Sequence, residues 1–166
     1  MSRLVNLTGN DVIEINGQAV QDSPFGDIGK VTFDTDIVNT KVGKNGNMVA
    51  AFNTMGRAAT LELRVLRGGA DDIRFNELIN NFFAYAEEGK AYTFINGSFT
   101  KVISTAQIDV AGGGNAVSGA NINEKYDLQL GIISKFPDVL GNVEGDVEQG
   151  VATYIFKFAY AARTVT

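Results

Sequence analysis

Residues 59–67 read Ala59-Thr60-Leu61-Glu62-Leu63-Arg64-Val65-Leu66-Arg67. Leu61, Leu63 and Val65 fall on one side of an extended chain, and Thr60, Glu62 and Arg64 fall on the other. That is the period-two signature of a half-buried strand. The same beat recurs on either side of this segment. Val31, Phe33, Thr35 and Ile37 oppose Lys30, Thr32, Asp34 and Asp36. Val102, Ser104, Ala106, Ile108 and Val110 alternate with Lys101, Thr105, Gln107 and Asp109, with Ile103 as the exception. Tyr126, Leu128, Leu130 and Ile132 alternate with Lys125, Asp127, Gln129 and Gly131. Tyr154, Phe156, Phe158 and Tyr160 form an aromatic row opposite Thr153, Ile155, Lys157 and Ala159. Each is expected to be a strand with one face inward.

The punctuation agrees with strands. Asn16-Gly17 and Asn96-Gly97 each separate two short apolar runs, and Asn-Gly suits a two-residue hairpin because both positions must accept positive φ. A third hairpin is expected to turn at Gly43–Asn47, with arms over Val38–Val42 and Met48–Asn53. One segment changes period. From Asp71 to Glu88 the apolar residues fall at Phe75, Leu78, Ile79, Phe82 and Ala86, the spacing of an amphipathic helix. Asp71 or Asp72 is suited to cap its start, and Gly89 to stop it in the left-handed region. Flexible loops are expected at 111–120, which is glycine-rich, and at 137–150, which is acidic and glycine-spaced. With 166 residues, 45% of them hydrophobic, the chain is expected to form a single β-rich domain with one main helix.

Composition narrows the chemistry. Neither cysteine nor histidine occurs, so thiolate nucleophiles, disulfides, Cys/His zinc sites and imidazole bases are excluded. The formal charge is −5, opposite in sign to most nucleic-acid binders. No apolar run is long enough to span a bilayer, and residues 1–6 lack the run of a secretory signal. The sequons at Asn6 and Asn96 are therefore taken as chance, and use without membrane crossing is expected.

The glycine-rich stretches fit no nucleotide motif: Gly43–Asn47 lacks the order of a phosphate-binding loop, and Gly112–Gly114 lacks dinucleotide spacing. Asp34-Thr35-Asp36 is not followed by the glycine and glutamate of a calcium loop. Glu144, Asp146 and Glu148 are the one acidic grouping able to gather a cation if their loop folded on itself. No cofactor is expected. A carboxylate pair for glycoside hydrolysis has no tryptophan platform beside it, and no motif argues for catalysis.

The stretch from Gly29 to Asn76 resembles the tail tube proteins of phages with contractile tails and of related phage-tail-like bacteriocins. The resemblance lies in a polar glycine-bearing hairpin (Thr40–Gly46), an Asn-rich element with an arginine (Asn53–Arg57), an alternating strand (Ala59–Leu66), and an acidic pair opening a helix (Asp71–Leu78). It covers about a third of the chain. It implies a mainly β fold, a β-sandwich or half-barrel with one flanking helix over about 71–88. It also implies homo-hexameric rings stacked into a tube inside a contractile sheath, with tape-measure protein and baseplate as further partners. DNA would pass through the lumen without specific binding, and the protein would reside in a virion tail made in the bacterial cytoplasm.

An acidic wall suits such a conduit, because it repels phosphate. The hairpin Val38–Asn53 is the candidate contact between rings, through Lys41, Lys44, Asn45, Asn47, Met48, Val49, Phe52, Met55 and Arg57. Two alternatives stand beside this: Met48, Val49 and Phe52 packing within their own domain, and Arg57 pairing either with a neighbour's acid or within its own chain. A tube protein of a bacterial secretion or injection apparatus, and a β-sandwich carbohydrate or adhesion module, are the competing functions.

Overall fold

The computed structural model describes residues 2–108, 117–141 and 143–166. Among the described residues, ten strands and one long helix are formed: β1 (Ser2–Leu7), β2 (Val12–Ile15), β3 (Gln18–Ala19), β4 (Gly29–Phe33), β5 (Val38–Val42), β6 (Met48–Phe52), β7 (Ala59–Leu66), α1 (Ala70–Glu88), β8 (Ile95–Ile108), β9 (Val117–Lys135) and β10 (Val151–Val165). Eight strands make one antiparallel sheet in the order β3-β2-β8-β9-β10-β7-β4, and β1 lies against the far half of β8. The order has two free ends, so the sheet is open rather than a closed barrel. Among the described residues, β5 and β6 pair only with each other.

The alternation in residues 59–67 is carried directly into burial. Ala59, Leu61, Leu63 and Val65 are all 0% exposed. Across from them on β10 lie Ala152, Tyr154, Phe156 and Phe158, buried in the same phase. α1 covers this face with Phe75 and Ile79. The Phe75 ring sits edge-on to Tyr154 and to Phe156, each at 5.3 Å between centroids. Tyr154 Oη donates to the Asp72 carboxylate. Burial, with that carboxylate second, raises the phenol's pKa.

The start of α1 differs from the expected cap. Gly69 is the N-cap and makes no side-chain cap bond. Asp22, from a distant segment, accepts from Ala70 N at 2.8 Å. Asp71 is buried instead, and one of its oxygens accepts from the backbone N–H groups of Gln21 and Asp22 at 2.8 and 2.9 Å. Its other oxygen meets Arg74 at 3.1 Å. The carboxylate at the helix start therefore clamps residues 21–22 rather than the helix's own amides. Gly89 does stop the helix, at φ 69°, its N–H directed to the carbonyls of Ala84 and Tyr85.

Two turn assignments separate. Asn16 and Gly17 both have positive φ and join β2 to β3. Asn96-Gly97 is no hairpin: it lies within β8, at a register shift, with Gly97 opposite Ile15. A Cβ on Gly97 would meet Glu14 O at 3.0 Å and Ile15 Cδ1 at 3.1 Å, so glycine serves close approach there. The glycine-rich loop expected at 111–120 falls partly outside the described residues, at 111–116; Val117–Ala120 belong to β9 and pair with Ile108–Thr105. Val110 and Asp109 also lie outside the described residues.

Candidate assembly interface

The β5–β6 arm is built by alternation on a short scale. Val38 pairs with Phe52 and Val42 with Met48, and directly paired residues share a face. Val38, Thr40, Val42, Met48, Ala50 and Phe52 thus form one face, while Asn39, Lys41, Val49 and Ala51 form the other. The tip closes with Gly43 N to Asn47 O at 2.9 Å and Gly46 N to Gly43 O at 3.0 Å, with Gly46 at φ 78°. Lys44, Asn45 and Asn47 occupy that tip. All ten strand residues are exposed. Met48, Val49, Phe52 and Met55 stand at 65–70% exposure, so these side chains are not packed into their own domain.

A two-stranded ribbon with no core is marginal on its own, and the chain compensates at the ribbon's base. Asn53 N donates to Ile37 O at 2.8 Å, and Asn53 Nδ2 donates to Asp36 O at 2.9 Å. Asn53 Oδ1 accepts from Met55 N at 3.1 Å, and Thr35 Oγ1 donates to Met55 O at 2.9 Å. Gly56 packs against backbone: an added Cβ would lie 2.8 Å from Ile37 Cα and 2.9 Å from Asp36 O. Replacing Gly56 by alanine is expected to cost about 1–3 kcal/mol, because neither backbone atom can yield. Thermal unfolding reads that loss, and assembly should weaken with it as the ribbon's mount shifts.

Arg57 does not meet an acid among the described residues. Its guanidinium lies over the Tyr160 ring, 4.9 Å from the centroid, and donates to Tyr160 Oη. Arg57 O accepts from Ala161 N at 2.8 Å, tying the base of the ribbon to β10. Between ribbon and sheet runs an open groove of about 700 Å³, lined by Phe33, Ile37, Val38, Phe52, Arg57 and Arg163 among others. Behind it, Glu124 accepts from Tyr126 Oη at 2.5 Å and from Arg163 Nε at 2.8 Å. Those bonds, the tyrosine's first, hold the Glu124 carboxyl below the usual carboxylate range.

Exposed apolar surface also occurs where the sequence periodicity singled out nothing. Ile73, Phe83 and Tyr85 lie off the buried stripe of α1 and are 60%, 40% and 49% exposed; Phe83 stacks on Phe136. Val139, Leu140, Val143 and Val147 are exposed along the connection from β9 to β10. Of the acids weighed there for a cation, Asp146 Oδ1 accepts from Glu148 N in a short 3-10 turn (Val147–Gly150), and Glu148 meets Arg64 at 3.4 Å. Among the described residues no three potential ligands come together for a metal.

No family model and no curated protein sequence matches the chain. Solved structures do match its fold. One is the sheath/tube terminator of an extracellular contractile injection system in its extended state. It is 8% identical, with a TM-score of 0.50, over 95% of this chain and 94% of that one. Another is the anti-feeding prophage cap, which terminates its tube. It is 12% identical, with a TM-score of 0.53, over 96% of this chain and 90% of that one. At these identities the likeness shows the fold: a mainly β architecture with one helix, shared with components of contractile particles.

Proposed function

We propose that the chain is a structural, non-enzymatic subunit of a contractile tail-like particle. Its copies close into a ring, six-membered on the family resemblance, coaxial with the inner tube. The observation that carries this is the β5–β6 arm, a separate sheet pinned at its base with every strand residue exposed. A contiguous apolar face of this kind marks an interaction surface rather than a finished monomer. The open ends of the large sheet give a neighbour unpaired backbone groups, and ring closure removes that hazard. Sheath, tape-measure protein and baseplate are the further partners this role requires, and an acidic chain lets DNA pass without holding it.

A second reading is a ring that ends the tube rather than repeating along it, as two of the solved structures that share the fold are a terminator and a cap. Electron microscopy of the purified protein, with light scattering over a concentration series, separates the two. Hollow tubes that lengthen with concentration identify a tube subunit, and rings that never stack identify an end ring. A monomer at every concentration would sink both and bring forward the carbohydrate-binding alternative, testable on a glycan array.

Met48→Ser with Phe52→Ser removes two apolar side chains, each contributing roughly 1.5–3 kcal/mol when buried. Apparent association in the same light-scattering series is expected to fall by at least about a hundredfold, with the circular dichroism spectrum unchanged.

A further inference from the structure

The arm's charge is as distinctive as its apolar face. Residues 37–57 contain Lys41, Lys44 and Arg57 and no acid, within a chain of formal charge −5. The connection 137–150 has the inverse composition: Asp138, Glu144, Asp146 and Glu148, with no base. It too exposes apolar side chains, Val139, Leu140, Val143 and Val147, at 72–104%. We propose that this connection is the docking surface for the β5–β6 arm of a second copy of the chain. The inference rests on the assembly role proposed above and names the surface that receives the arm.

Placement supports a contact between copies. The arm enters β7 at Ala59, and Arg67, just beyond the other end of β7, takes hold of the connection. The two surfaces thus sit at opposite ends of an eight-residue strand, roughly 23 Å apart at about 3.3 Å per step. A basic apolar projection at one end and an acidic apolar surface at the other form a head-to-tail pair, which propagates when copies are stacked.

The receiving segment is held in shape. Arg67 donates to the carbonyls of Asp138, Gln149 and Val151 at 2.7, 3.0 and 3.1 Å. Among the described residues, Arg67, Lys135 and Arg64 each bond to this segment. Arg67 is spent on carbonyls, Lys135 meets Asp138 at 3.3 Å, and Arg64 meets Glu148 at 3.4 Å. In both ion pairs the acid is the more exposed member: 87% against 59%, and 73% against 23%. The charge turned outward is therefore acidic.

Charge exchange tests the pairing in the full-length protein. Lys41→Glu/Lys44→Glu gives an arm that repels the connection. Asp138→Lys/Glu144→Lys gives a connection that repels the arm. Each variant alone is expected to keep forming rings while stacking at least about tenfold more weakly, since like charges across an interface are strongly disfavoured. Mixed one to one, the two variants should recover stacking, because each arm then meets a connection of opposite sign.

Stacking unchanged in either variant, or not recovered on mixing, overturns the proposal while leaving the ring reading intact. Unmodified protein that forms rings but never stacks overturns it likewise. Unmodified protein that stays monomeric defeats the assembly reading and this inference together.

Discussion

Phe75→Ala is expected to lower the unfolding free energy by about 3–5 kcal/mol, the range for truncating a fully buried phenylalanine. Phe75 is 0% exposed and carries both edge-on ring contacts from α1 to β10. In a folded protein, packing of one amphipathic face supplies most of a helix's stability. Ile79 alone would be left buried among the helix's apolar side chains, so the cavity would sit where the two layers meet. At roughly 2–4 °C per kcal/mol for a chain of this size, the melting temperature should drop by about 6–20 °C. Urea unfolding should show a lower midpoint with an unchanged slope. Ile73→Ala, at 60% exposure on the outer side of the same helix, is the control and should stay within about 1 kcal/mol of the parent.

Gly131→Ala is the second large effect expected. A Cβ at Gly131 would overlap the Phe158 ring and come within 2.9 Å of Ile95 O. Phe158 is 2% exposed and stacked on Phe156, so its ring has nowhere to go. Overpacking of this kind costs typically about 1–3 kcal/mol and more where backbone also resists. We expect a loss of about 3 kcal/mol or failure to fold, read as soluble yield and unfolding midpoint. Gly131→Ala combined with Phe158→Leu should recover part of the loss, because the smaller side chain vacates the space the methyl needs.

The same region shows what was legible in the sequence and what was not. Residues 59–67 and 152–158 kept strict alternation from sequence to burial, since a strand flanked by strands and covered by a helix has one dry face. The period-two pattern over 126–132 and 154–160 did not survive intact. Leu128 is buried and Leu130 is 51% exposed, while Gly131 and Ile133 are buried. On the partner strand, Phe158 is buried, Tyr160 is half-buried and Ala161 is buried. Leu130 takes φ 56°, a left-handed conformation uncommon for such a residue, and the inward face changes sides there in both strands. Nothing in Tyr126–Ile132 announces that fold in the sheet. Gly131, which strict alternation puts on the polar face, is its trace in the sequence.

The candidate interface was partly readable for a similar reason. Met48, Val49 and Phe52 were visible as apolar residues on irregular arms, but apolar residues in a strand fit a core as well as a surface. Only exposure decides between the two. Acids and glycines mark the connection 137–150 as a polar loop, and its valines follow no period that would set them apart. Arg57 invited an acidic partner, as arginine usually does; the structure gives it the face of Tyr160, 103 residues away, a contact that no local pattern reveals.

The pairing of β1 with the far half of β8 has a consequence for how the chain is made. Ser2 faces Ile108 and Leu7 faces Ile103, so the first strand has no partner until about a hundred further residues exist. At roughly 5–20 residues per second, translation leaves it waiting for about 5–20 s. β8 and β9, adjacent in sequence, can zip together locally and then offer the edge that β1 needs. Until then β1 has no strand to pair with, and a ribosome-bound chain interrupted before residue 103 should be open to capture by a chaperone at β1.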